Sequence, residues 1–210
     1  APVVRITPEF ARTTDTLGVV IDTPSVDPDP DPDGGAIVYQ YEWSRDLDLV
    51  GTSSTVSASE TAKHQVWTVR VTPYDGHGLG VGGLASRTIE NTVPVIAEVE
   101  IGPSPLFTDD VAASTVTVFD PDEEDVVALL HAWTVDETLV AETDVTLDGA
   151  VWFSKHQEVG LSVTPSDAES TGDSVSAPSV FVDNAPPTAP EVIITPDPVM
   201  VGVEPMQCRI

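Results

Sequence analysis

The chain has 210 residues, 35 of them Asp or Glu against 8 Lys or Arg, for a formal net charge of -27. Hydrophobic residues make up 40% and valine alone occurs 33 times, so the chain can bury a core and leans towards β-strand. The charge argues against nucleic acid and anionic membrane surfaces as partners, since clustered Lys and Arg bind both, and it favours divalent cations, basic partners or a highly solvated surface.

In chain order, residues 3–6 read as a first strand, ended by Thr7-Pro8 because proline has no N–H for the ladder. A second strand covers 17–21, with room to resume near Val26, and a turn-rich acidic tract follows from Asp27 to Gly35. Residues 37–43 form the next strand, with Tyr39, Tyr41 and Trp43 on one face at period 2. A short strand at 54–58 precedes the clearest one, 66–72, in which Trp67, Val69 and Val71 turn inward and Thr68 and Arg70 face water. Residues 84–89 close the set.

The pattern then repeats. Lys63-His64-Gln65 recurs as Lys155-His156-Gln157, and Thr72-Pro73 with Asp75 recurs as Thr164-Pro165 with Asp167, each at an offset of 92. Trp43 matches Trp133 at 90, and Asp27-Pro28-Asp29 matches Asp120-Pro121-Asp122 at 93. Strands are expected at 127–133, 140–147, around Val159, Leu161 and Val163, and at 179–182. The run Asp122-Glu123-Glu124-Asp125 could open a helix, but the β-branched density and the repeat outweigh it. Two complete units are expected at 1–92 and 93–186, with 187–210 as the opening strands of a third. The expected fold class is all-β, tandem antiparallel β-sandwiches arranged as a rod, since the period suits a sandwich of seven or so short strands. Trp43, Trp133 and Trp67 are expected in the cores. Phe153 is a better core candidate than Trp152, which is left for a neighbour or ligand contact.

The chain begins at Ala1 without Met or signal peptide and is expected to be a processed protein or part of a longer array. No apolar run approaches a membrane span, so no membrane insertion is expected. One cysteine, Cys208, excludes an intrachain disulfide.

Four phrases carry a resemblance: Asn91-Thr92-Val93-Pro94, Asp29-Pro30-Asp31-Pro32-Asp33-Gly34, the tyrosine-rich run from Val38 to Trp43, and Val71-Thr72-Pro73-Tyr74-Asp75-Gly76. With them the whole chain resembles tandem immunoglobulin-like repeats of large bacterial secreted and surface proteins, close to the PKD-like and cadherin-like families. The resemblance implies an extracellular or cell-surface location and a tandem arrangement. It does not fix a function. Related repeats place cysteines on the second and sixth strands. Cys208 stands at the second-strand position of the third unit, and Val19 and Val69 fill these positions in the first.

The acidic tract suggests a metal. Asp27, Asp29, Asp31 and Asp33 alternate with proline, and carboxylates this close repel unless a cation or solvent screens them. Calcium takes six to eight hard oxygens, which a stiff Asp-Pro loop can present, although the spacing is not that of an EF-hand. In an immunoglobulin-type sandwich the second-to-third and sixth-to-seventh strand loops share the end at which the linker arrives. Asp120, Asp122 and Asp125 should therefore approach Asp167 and linker Asn91. Asp27, Asp29 and Asp75, with Asp31 and Asp33, form the matching group at unit 1, and Asn184 is the linker residue before unit 3. The resemblance to cadherin-like repeats implies that calcium there stiffens the linker.

His64, His77, His131 and His156 fit no nucleophile-elbow or zinc pattern, and the Gly76–Gly80 stretch precedes a strand, not a phosphate-binding helix. The chain is not expected to be an enzyme. His64 and His156 fall in equivalent surface loops, where they supply turn polarity or a domain contact. Two functions remain. One is a calcium-stiffened spacer or surface filament segment, whose partners are neighbouring repeats or other copies in a fibre. The other is an adhesin module that grips a glycan or protein through its end loops.

Overall fold

The computed structural model describes residues 1–28, 36–190, 192–195, 202 and 207–209. The first set of strands is β1 (Val3–Thr7), β2 (Leu17–Thr23), β3 (Val38–Arg45), β4 (Asp48–Gly51), β5 (Thr55–Val56), β6 (Val66–Tyr74) and β7 (Gly83–Thr88). They form two antiparallel sheets, in the orders β1-β2-β5 and β4-β3-β6-β7. The second set is β8 (Val95–Gly102), β9 (Leu106–Phe107), β10 (Val111–Phe119), β11 (Ala128–Val135), β12 (Thr138–Leu139), β13 (Thr146–Asp148), β14 (Glu158–Ser166), β15 (Val175–Ser176) and β16 (Val180–Asp183). Its sheets run β13-β10-β8 and β12-β11-β14-β16-β9, with β15 beside β14. The chain is thus a tandem of immunoglobulin-like β-sandwiches. Beyond them, β17 (Ile193–Thr195) pairs antiparallel with β18 (Gln207–Arg209).

Each sandwich has its own core, built by period-2 alternation. Along β6 Trp67, Val69 and Val71 are buried, while Arg70 is exposed and Thr68 half-buried. Trp43 on β3 pairs in register with Val69 and is fully buried. Its ring meets Trp67 edge-on, centroids 6.3 Å apart and planes at 71°, a favoured aromatic geometry. Tyr39 and Tyr41 pack on the same cluster. In the second sandwich Trp133, Val159, Leu161 and Val163 form the corresponding centre. Each landmark indole satisfies its N–H within its own unit: Trp43 donates to the Ser53 carbonyl and Trp133 to that of Asp144, both at 2.9 Å. Phe153 is buried, and Trp152 packs against the core edge at intermediate exposure.

Several strand bounds shift from expectation. β2 extends to Thr23 and does not resume at Val26, which is 86% exposed. The stretch expected at 140–147 reduces to β13, and Gly149–Trp152 forms a single helical turn. Asp148 accepts the Ala150 N–H and starts that turn as its cap. Two hairpins turn on residue pairs with positive φ, Asp46-Leu47 and Asp136-Glu137, and each Asp accepts a backbone N–H from the neighbouring strand, that of Val66 or Glu158. Gly83 and Gly172 are required by close approach. A Cβ at Gly83 would lie 2.3 Å from the Pro2 carbonyl oxygen, and one at Gly172 would lie 2.1 Å from that of Pro94. The segment entering each sandwich therefore lies directly over a glycine of its last hairpin.

Candidate functional site

The site forms where the first sandwich ends and the second begins. Its first element is the turn Ala62-Lys63-His64-Gln65. The Gln65 N–H donates to the Ala62 carbonyl at 3.3 Å, the Gln65 side chain accepts the Ala62 N–H at 2.9 Å, and His64 has a φ of 68°. The turn is fastened to the outgoing strand because the His64 N–H donates to the Ile89 carbonyl at 2.8 Å. Lys63 is thereby aimed at the second sandwich. Its ammonium lies 2.5 Å from Oδ1 and 2.7 Å from Oδ2 of Asp125, and 2.8 Å from Oε1 of Glu169. It also donates to Oδ1 of linker Asn91 at 3.3 Å. The Lys63 and Asp125 side chains are only 17% and 11% exposed. His64 Nε2 meets the same Glu169 oxygen at 3.0 Å.

The second element is the loop between β10 and β11. Asp122 is buried; it accepts the backbone N–H of linker Thr92 at 2.7 Å and the hydroxyl of Thr13 from the first sandwich. Asp120 accepts the Asp122 N–H through Oδ1, while its Oδ2 is buried without a hydrogen-bond partner. The third element is the turn after β14. Asp167 Oδ1 accepts the N–H groups of Glu169 and Ser170, and its Oδ2 accepts the Asn91 amide at 3.0 Å and the Ser170 hydroxyl at 2.8 Å.

These contacts set the charge states. Burial pushes the Asp167 carboxyl up, but hydrogen bonds from Asn91, the Glu169 N–H and Ser170 outweigh it and hold the group at about 2. At Asp120 burial wins and raises the carboxyl above its ordinary value; the Asp122 N–H opposes the rise, while the charges of Asp125, Asp122 and Asp167 add to it. Hydrogen bonds to Asp125 and Glu169 hold the Lys63 ammonium well above the ordinary lysine value. Those from Lys63 and His64 hold Glu169 below its own.

Of the residues expected to bind metal, Asp120, Asp125 and Asp167 converge, each presenting one oxygen within 4.8 Å of the others. Asp122 turns to the linker backbone instead. Asn91 reaches Asp167 through its amide nitrogen and gives its carbonyl oxygen to Lys63. Asp27 and Asp75 line one shallow depression at the opposite end of the first sandwich, and Asp75 is engaged by the N–H groups of His77 and Gly78. Asp29, Asp31 and Asp33 lie outside the described residues. Asn184 sits at the far end of the second sandwich, where its Oδ1 accepts from Lys155 at 3.5 Å.

Thr13, Glu169, Ser170 and the partnership of Lys63 were not foreseen. A signal for the last was present: Lys63 and Lys155 are the only lysines in the chain, and they hold equivalent positions. His64 does make a domain contact. His131 is buried beside Ser114, its Nε2 2.9 Å from the hydroxyl, and burial pushes its imidazolium value down. That pair belongs to a sandwich interior.

No family model matches the chain, and no curated protein matches it. Among solved structures it is similar to the mouse nectin-like molecule 4 ectodomain (Ig1–Ig3), at 12% identity and a TM-score of 0.35, covering 90% of this chain and 66% of that one. It is similar to the chicken CNTN1 FN1–FN3 domains, at 12% identity and a TM-score of 0.36, covering 92% of this chain and 70% of that one. It is also similar to the fibronectin(III)-like modules of Clostridium thermocellum CbhA, at 11% identity and a TM-score of 0.30, covering 87% and 95%.

Proposed function

We propose that the chain is a structural segment of an extracellular or cell-surface repeat protein, a spacer whose β-sandwiches are locked end to end. The PKD-like and cadherin-like resemblance supports the location and the tandem arrangement. One observation carries the reading: Lys63 of the first sandwich is clamped between Asp125 and Glu169 of the second, with Asn91 of the linker on the same ammonium. Exposed ion pairs contribute little, but partly enclosed networks that fix a geometry do more.

Calcium fits beside this lock. Asp120, Asp122, Asp125, Asp167 and Glu169 all stand at this joint, and Lys63 pairs with only two of them, Asp125 and Glu169, so the joint holds excess negative charge. The unpartnered Oδ2 of Asp120 and the convergence of Asp120, Asp125 and Asp167 supply hard oxygens of the kind that calcium prefers. When bound, the ion would neutralise that repulsion, while Asp122 and Asn91 keep the linker in place. Neighbouring repeats, and other copies in a fibre, are the proposed partners.

The test is Lys63→Met, with the distance distribution between spin labels on the two sandwiches as readout. The wild-type chain should give a narrow distribution and the variant a broad one, each sandwich still melting at its own temperature. Equal widths would end the spacer-lock reading.

A second reading, an adhesin module that takes a glycan or protein, is favoured by a cleft of about 570 Å³ at the same joint. Lys63, Glu123 and Phe119 line it, and Phe119 is 64% exposed. Phe119→Ala should abolish adhesion to a glycan or protein surface if this reading holds, and leave the joint unchanged.

A further inference from the structure

The turn that aims Lys63 is repeated at the other end of the second sandwich. The Gln157 N–H donates to the Ser154 carbonyl at 3.2 Å, the Gln157 side chain accepts the Ser154 N–H at 2.8 Å, and His156 has a φ of 71°. The His156 N–H donates to the Val182 carbonyl at 2.7 Å, as His64 does to Ile89. Lys155 then reaches Asn184 as Lys63 reaches Asn91, at 3.5 and 3.3 Å. What differs is the surroundings. Lys63 is enclosed by carboxylates of the next sandwich, whereas Lys155 and His156 are exposed.

The chain beyond Asn184 keeps the same spacing. Asn91 stands three residues before Pro94, and Asn184 three before Pro187. Farther on, Ile194 pairs with Cys208 across β17 and β18. Ile6 pairs with Val19 across β1 and β2, and Ile101 with Ser114 across β8 and β10. Ile194 therefore follows Asn184 at the spacing at which Ile101 follows Asn91, and β17 with β18 repeats the first strand pairing of each sandwich.

We infer that Lys155, His156 and Asn184 form the receiving half of a second joint, and that its occupant is the acidic loop end of the sandwich that residues 187–210 begin. Charge complementarity selects the occupant. In a chain with 35 acidic residues both lysines stand at this one position, and the equivalent lysine already holds a carboxylate from each of two loops. His156 would stand where His64 meets Glu169, adding a contact that strengthens when the imidazole is protonated. This inference rests on the lock reading of Lys63.

Amine acylation read by mass spectrometry tests it, because only an uncharged, accessible amine reacts. In the native chain Lys155 should react at least about tenfold faster than Lys63, the ratio that one pKa unit represents. Two extended chains then supply an occupant. In one, residues 184–210 are replaced by residues 91–186; in the other, residues 1–195 continue into residues 103–186. Lys155 should slow to the rate of Lys63, and Asp125→Asn with Glu169→Gln in the added copy should restore it. Lys63 reacting as fast as Lys155 in the native chain would refute the lock reading itself. Lys63 protected but Lys155 unslowed in both extended chains, whether the added sandwich swings free or does not fold against this end, would overturn this inference alone.

Discussion

Asp122 accepts the backbone N–H of Thr92 at 2.7 Å, so the linker is fastened to a loop of the sandwich it enters. The same carboxylate takes the hydroxyl of Thr13, and one buried side chain thus joins the first sandwich, the linker and the second. Asp122→Ala should cost about 1–3 kcal/mol, because it leaves a buried N–H without its acceptor. Calorimetry should show the loss, and small-angle scattering should show a wider spread of interdomain angles.

Calcium should bind where Asp120, Asp125 and Asp167 converge. Titration calorimetry of the whole chain should give a binding heat that disappears in the Asp120→Asn, Asp167→Asn double variant. Chelator should loosen the joint before either core melts, since Trp43 and Trp133 sit in separate cores. Absence of heat in the wild-type chain would leave Lys63 as the joint's cation without a metal beside it.

Acid should open the joint. Asp167 is held at about 2 and Glu169 below its ordinary 4.5, so both bind protons less readily folded than unfolded. Their stabilisation is present above the ordinary carboxylate values and is lost as pH falls through the lowered ones. Asp120 has the opposite sign: burial first, and neighbouring carboxylates after it, raise its value, so its protonation relieves the cost of a buried charge and offsets part of the loss. Label distances should therefore broaden between pH about 4.5 and about 2. At the alkaline end the Lys63 contacts should persist past its ordinary 10.5, because its value is raised.

Trp43→Ala should destabilise the first sandwich by about 3–5 kcal/mol, the usual cost of truncating a buried large aromatic. The second core contains no residue of the first. Differential scanning calorimetry should show one transition moving down while the other stays in place.

Gly172→Ala should act on the linker from a distance in sequence. The added methyl would meet the Pro94 carbonyl oxygen at 2.1 Å and must push the entering segment away. A loss of about 1–3 kcal/mol is expected, as for other overpacked sites. Amide exchange around Thr92 should accelerate.

Trp43, Trp67, Val69 and Val71 were legible because alternation at period 2 and the repeat spacing reported the same faces twice. The convergence of Asp120, Asp125 and Asp167 followed from the loop order of a sandwich. Asp122 was misleading in kind: a carboxylate that accepts a backbone N–H and one that faces an ion look alike in a sequence. Lys63 went unread because its partners, Asp125 and Glu169, lie 62 and 106 residues away on two different loops. The helical turn at Gly149–Trp152 is too short to leave a periodic trace.

In the second sandwich β9 lies parallel to β16, with Leu106 opposite Val182 and Phe107 opposite Asp183, and in the first a parallel bridge links Arg12 to Glu90. The chain therefore comes into each sandwich and leaves it along neighbouring, like-directed segments. Tension applied along the polypeptide pulls those segments past each other lengthwise and loads their hydrogen bonds together instead of peeling them one by one. If the chain is the spacer proposed above, a sandwich threaded this way should resist stretching at the places where the chain passes from one unit to the next.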